Sequence, residues 1–180
     1  MEPRSFSRDD VRQILRASEG IPSQISAARI VNGRVSPATV GHPITSHLHS
    51  AGLTENKTKF LSMEDMVEAL WQLLQTPTAA AAIANLGIGR RATVKAEVST
   101  LFGFECEVPD PQGRGTVHPV RFTPEEQRRA GRWKTTCVAV VEGRERAGHS
   151  HLQIHSFYPA VSPAEVSSLL KTVRAGARRP

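Results

Sequence analysis

The sequence predicts an α+β fold, with N-terminal helices packed on a twisted antiparallel β-sheet. Three observations carry this. Apolar residues recur at three- and four-residue spacing up to about Leu86, the helical period. After Arg91 the period becomes two: Val94, Ala96 and Val98 alternate with Lys95 and Glu97. Residues 133–142 form the strongest strand pattern, and the unbroken apolar run from Val138 to Val141 suits a central strand. Helical patterns come first and strand patterns follow, which is the order of an α+β domain.

Taken in order, residues 8–18 read as a short helix with Val11, Ile14 and Leu15 on one face. Asp9 and Asp10 suit its positive N-terminal end. Residues 19–40, rich in Gly, Pro, Ser and Asn, read as an irregular arm. The clearest helix covers 63–75. Ser62 is its N-cap with Asp65 three residues on, and Met66, Val67, Leu70, Leu73 and Leu74 make a core-facing stripe. Pro77 opens a second helix that stops near Gly87 or Gly89.

Strands are expected at 92–98 and 102–108, as two strands or one bent around Gly103. A turn-rich loop at 109–116 precedes a short strand at 117–122, and 123–131 suits one helical turn. The strand at 133–142 turns through Gly143–Gly148 and returns as a partner at 149–158. Ser162-Pro163 then starts a last amphipathic helix. Residues 1–38 thus read as a helix and arm, 39–174 as the main domain, and 175–180 as a basic tail.

At 180 residues with 39% hydrophobic content, the chain suits one globular domain with large polar loops. Its net charge of +6 makes polyanions natural partners, nucleic acid first. No apolar run reaches the roughly 18 residues that a membrane span needs. The N-terminal residues lack the basic-then-apolar form of a secretory signal. Cys106 and Cys137 belong to no Cys-x-x-Cys unit and read as buried thiols, or as a disulfide if their strands are neighbours.

Two stretches carry the chemistry. Gly41-His-Pro-Ile-Thr-Ser-His-Leu-His-Ser50 holds His42, His47 and His49, three of the seven histidines. Imidazole is the side chain that most readily exchanges a proton near neutral pH. His149-Ser-His-Leu-Gln-Ile-His-Ser-Phe-Tyr-Pro159 holds the second set. Strict alternation puts Leu152, Ile154, Ser156 and Tyr158 on one face, and His151, Gln153, His155 and Phe157 on the other. Ser156 and Tyr158 would then hold two oxygens of one phosphate, with an imidazole from 41–50 as base or acid. His47-x-His49 and His151-x-x-x-His155 are the only metal-type pairs, and no His-Glu-x-x-His stands beside them. No metal or cofactor is assigned. Gly-x-Ser-x-Gly, the Walker loop and the dinucleotide fingerprint are absent.

Together these stretches resemble the RNase A-like toxin domains of contact-dependent growth inhibition proteins and related bacterial polymorphic toxins. The resemblance covers about residues 40–160. It lies in Gly-His-Pro-Ile-Thr-Ser-His-Leu, in Lys59-Phe-Leu-Ser-Met-Glu-Asp-Met, and in Val138-Ala-Val-Val leading to Ile154-His-Ser-Phe-Tyr-Pro. It puts His47 at the family's catalytic histidine, Ser156 at its threonine and Tyr158 at its tyrosine. Lys57 and Lys59 stand where the family has an arginine. His42, His49, Arg91 and His155 are assigned to substrate contacts around them.

The resemblance implies a small monomeric ribonuclease. RNA would be cleaved without a metal, through 2′-hydroxyl attack to a 2′,3′-cyclic phosphate. It also implies a cognate immunity protein, acidic if it covers a basic cleft. It further implies a bacterial source and delivery to a target cell by a route other than a classical signal. The alternative reading is a non-catalytic basic module that binds nucleic acid or protein.

Overall fold

The protein, seen in a computed structural model, is described here for residues 5–21, 41–48, 58–109, 112–115 and 117–176. The fold is α+β. Its first helix, α1 (Arg8–Ser18), starts at a capping box between Ser7 and Asp10 and buries Val11 and Leu15. Next come α2 (Pro43–His47) and a two-residue strand, β1 (Lys59–Phe60). Helix α3 (Met63–Leu74) is capped by Ser62, and α4 (Pro77–Ala84) by Thr76. Three strands follow: β2 (Arg91–Ser99), β3 (Phe104–Pro109) and β4 (Val117–Phe122). The short α5 (Pro124–Arg129) leads to the long hairpin of β5 (Lys134–Arg146) and β6 (His149–Pro159). Helix α6 (Pro163–Gly176) ends the described chain and carries the helical conformation two residues into the expected tail.

The strands of the described residues form two antiparallel sheets instead of the one expected. One has the order β2-β5-β6, with β5 central as its apolar run requires; the other has the order β1-β3-β4. The chain changes sheets between Ser99 and Phe104, where side chains satisfy the freed backbone groups. Asp65 of α3 accepts the Gly103 N–H at 2.8 Å. The fully buried Gln127 of α5 donates to the Phe102 and Phe122 carbonyls at 3.0 and 3.2 Å. A break so satisfied costs little, which is why one bent strand does not form.

The main core lies between the β2-β5-β6 sheet and α1, α3 and α4. Val11 and Leu15 of α1 belong to it, so the N-terminal helix packs into the same core. Phe60 stacks on Phe157 at 4.9 Å and lies 5.6 Å from Phe102, all three fully buried. Burial of each such ring stabilises by roughly 1.5–3 kcal/mol. A second cluster joins Phe104, Cys106, Val108 and Phe122 to Leu169 of α6. Glycine is required where backbones meet: a Cβ on Gly143 would come within 2.6 Å of the Gly87 carbonyl oxygen.

One irregularity sets the faces of β6. Val140 pairs with Ser156 and Val141 with Ile154, so His155 is an extra residue in a β-bulge. The strict alternation expected for 149–158 is therefore corrected. Leu152, Ile154 and Phe157 enter the core, whereas Ser156 and Tyr158 share the opposite face with Gln153 and His151. Core demand explains it: two large apolar residues three apart cannot both face inward on a regular strand.

Cys106 and Cys137 lie in different sheets, and both are free thiols. Burial, with the negative charge of Glu105, pushes Cys106 up to about 11; burial pushes Cys137 higher still. Only the thiolate reacts readily. Neither cysteine is expected to react with an aromatic disulfide reagent at about pH 8, and both should react in denaturant. Fast labelling of the native protein would contradict the burial.

Candidate active site

The site forms where α2 is pinned against the outer edge of β6. Among the described residues β6 is the outer strand of its sheet, so the backbone groups on that edge need partners. Ser18 Oγ accepts the Ile154 N–H at 2.9 Å, Gln153 Nε2 donates to the Ile21 carbonyl at 3.2 Å, and His42 N–H donates to the His155 carbonyl at 3.0 Å. Gly41 makes this approach possible, because a Cβ there would lie 2.4 Å from the Ser18 carbonyl oxygen. His42, the N-cap of α2, makes no side-chain capping bond. Glu19 caps instead, accepting the Ile44 and Thr45 N–H groups at 2.8 and 3.1 Å and the Thr45 hydroxyl. The end of α1 thus holds the start of α2, and α2 carries His47 inward.

His47 is only 5% exposed. Its Nδ1 lies 3.2 Å from the Thr58 carbonyl oxygen. A carbonyl only accepts, so Nδ1 carries the proton and the neutral ring keeps its lone pair on Nε2. That Nε2 lies 3.1 Å from Ser156 Oγ, whose hydroxyl donates to it. The Tyr158 ring stacks on the imidazole, centroid to centroid 5.2 Å, tilted by 28°. The two hydroxyl residues therefore flank one oriented base. The His42 ring lies 6.0 Å from that of His47.

These four side chains line an open cleft of about 690 Å³. Thr58, Lys95, Thr136 and Glu165 line it too. Lys95 is in register with Val138 and, through it, with Tyr158, two strands away. At about 4.8 Å between strands it stands roughly 10 Å from Tyr158 across the floor of the cleft. Glu165 lies at the rim, ion-paired with Arg132 at 2.7 Å and accepting the Ser162 N–H at 2.6 Å.

Behind the cleft runs a polar chain. His42 and His155 meet edge to face at 5.8 Å. Arg91 Nη2 lies 3.1 Å from His155 Nε2, and Arg91 Nε lies 3.2 Å from Oε2 of the fully buried Glu142. The bulge turns His155 toward this chain. It is 4% exposed and does not line the cleft.

Of the residues expected from sequence, His42, His47, Ser156 and Tyr158 meet in one cleft. Arg91 and His155 stand behind it and touch the lining through His42. Lys59 does not enter the cleft: it is 6% exposed in β1, paired across the strands with Glu105. His49 and Lys57 lie outside the described residues. Lys95, Thr136 and Glu19 were missed. Lys95 was legible as the polar partner in the Val94-Ala96-Val98 alternation, but the hairpin register that brings it to Tyr158 was not. Among the described residues no three His, Cys, Asp or Glu side chains converge as a metal site, and no helix is long and apolar enough to cross a membrane. Comparisons of the chain with protein-family models, curated proteins and solved structures returned no match.

Burial works to raise the Glu165 pKa, but the Ser162 backbone and hydroxyl bonds and the Arg132 charge outweigh it, leaving it lowered. A folded value below the unfolded one gives stability that is complete above the ordinary glutamate range and is lost as pH falls through the lowered value. Glu165→Gln should therefore lower Tm at neutral pH, where the ionised carboxylate stabilises the fold, and make the acid-side fall of Tm with pH shallower. Parallel profiles for the two proteins in a thermal melt series would refute this linkage.

Proposed function

We propose that this protein is a metal-independent endoribonuclease that cleaves RNA by 2′-hydroxyl attack, leaving a 2′,3′-cyclic phosphate. The observation that carries the reading is His47, its Nε2 lone pair oriented by Thr58 and set 3.1 Å from Ser156 Oγ beneath Tyr158. In the reaction His47 Nε2 takes the 2′-hydroxyl proton, and the 2′-oxygen attacks phosphorus in line. Ser156 and Tyr158 donate to the non-bridging oxygens as charge builds on them. Protonated His42, whose ring lies 6.0 Å from that of His47, gives its proton to the departing 5′-oxygen. Lys95, which lines the cleft, neutralises the phosphorane as a point charge.

A serine hydrolase would use the same Ser156–His47 contact. Two features favour RNA over it: the second imidazole, at 6.0 Å from the first, and the net charge of +6. In the same reading an acidic immunity protein would cover this cleft and hold the activity in check in the producing cell.

The direct test is cleavage of a short RNA, with mass spectrometry of the ends. His47→Ala should lose about 10²–10⁴ in rate while keeping RNA affinity. Tyr158→Phe keeps the ring and removes one donor, at a cost of about 10²–10³. EDTA should have no effect. Full activity in His47→Ala, or products without a cyclic phosphate, would overturn the reading.

Two imidazoles in opposite protonation states should also give a bell-shaped dependence of kcat/KM on pH. His42→Ala should remove the alkaline limb, because it removes the group that must stay protonated. An unchanged bell in that variant would assign the acid role to another residue.

A further inference from the structure

The β5–β6 hairpin reaches beyond the cleft and carries a charge pattern that the proposed chemistry does not use. Arg144 pairs across the strands with His151, and Arg146 with His149. Directly paired residues share a face, so two guanidinium groups and two imidazoles point to one side. Glu145 and Ser150 point to the other. Arg146, His149 and His151 are exposed and Arg144 is half-buried.

Two physical points argue that this pattern has a use. Cross-strand neighbours of like charge destabilise a hairpin, and these two pairs become like-charged whenever the imidazoles are protonated. The turn adds strain, for Ala147 is held at φ 51° ahead of Gly148 at φ 76°, where glycine or asparagine is usual at both positions. A sequence that keeps such local conflicts is expected to keep them for function. The face also matters. Because of the bulge at His155, Arg144, His151 and Gln153 lie on the same face of the sheet as Ser156 and Tyr158.

The geometry is organised for a phosphate chain. Arg144 Nη1 donates to Gln153 Oε1 at 2.6 Å, and Gln153 Nε2 to the Ile21 carbonyl at 3.2 Å, which holds the guanidinium in place. Arg144, Arg146 and His151 line a hollow of about 470 Å³ against the end of α1, and Glu145 lines it too, so two guanidinium groups face one carboxylate there. The charges facing His151 from α1 include Asp10, which shares a smaller neighbouring hollow with it. Ser156 and His151 stand opposite Val140 and Arg144, four residues apart on β5, so they lie about 13 Å apart along the strand at 3.3 Å per residue.

We infer that this hairpin face is a second, non-catalytic contact for single-stranded RNA, taking backbone phosphates of the strand that runs on from the cleft. The inference rests on the RNA reading of the site, but its test does not require cleavage. The probe is a 2′-O-methyl RNA 12-mer, which has no 2′-hydroxyl to attack, and its affinity is measured across a salt series. Each phosphate contact on a single strand contributes about 0.7 to the slope of log K against log salt. Arg146→Ser should lower the slope by about 0.7, and the double variant R144S/R146S by about 1.4. The single variant leaves the Arg144–Gln153 bond intact, so its effect is not one of folding. A dinucleotide substrate, which ends inside the cleft, should be cleaved equally by wild type and both variants. Unchanged slopes in both variants, or a wild type that does not bind the 12-mer, would overturn the inference. Slopes that fall in a protein with no cleavage activity would support the hairpin contact and sink the catalytic reading alone.

Discussion

The site depends on one extra residue in β6. A regular strand could bury Ile154 and Phe157 only by placing them on opposite faces. The bulge at His155 lets both enter the same core. The same shift turns Ser156 and Tyr158 away from the core and toward His47. Packing and chemistry are therefore solved by one backbone irregularity. Phe157, between the two hydroxyl residues, anchors them by stacking on Phe60 at 4.9 Å. The site is rigid because its supporting residues are the core itself.

A second constraint is polar satisfaction. His47, His155 and Glu142 are each under 6% exposed and would be costly to bury without partners. Each has one: Thr58 and Ser156 for His47, Arg91 for both His155 and Glu142. Glu19 does the corresponding work for the first backbone N–H groups of α2. These contacts join the end of α1, the start of α2 and the edge of β6. No element of the cleft is held by its own local propensity; α2, with five residues, is far too short to be stable alone.

Much of this was legible in the sequence because it is periodic. The stripe on 63–75 became α3, the run at Val138–Val141 became the central strand, and Ser62 became the N-cap of α3. His42, His47, Ser156 and Tyr158 were legible as chemistry-bearing types in two short stretches. The face assignment within 149–158 was not, because a bulge is decided by what the core accepts and leaves no local mark. The second sheet was hidden for a similar reason, since it depends on Asp65 and Gln127 satisfying a break remote from them in sequence. Lys95 and Glu19 look like ordinary surface charges until register brings Lys95 to the cleft and docking brings Glu19 to the start of α2.

The hydrogen bond between His47 and Ser156 joins residues 109 apart in the chain. Contacts of such long sequence separation form late, since the closure entropy of the whole intervening chain opposes them. During synthesis from the N-terminus, α1, α2 and α3 leave the ribosome well before β6 exists. His47 then has neither the hydroxyl it orients nor the strand edge against which α2 docks. The cleft consequently cannot form until β6 emerges and pairs with β5. Maturation of the cleft is timed by chain order, and a truncated translation product ending before His149 would lack the centre altogether.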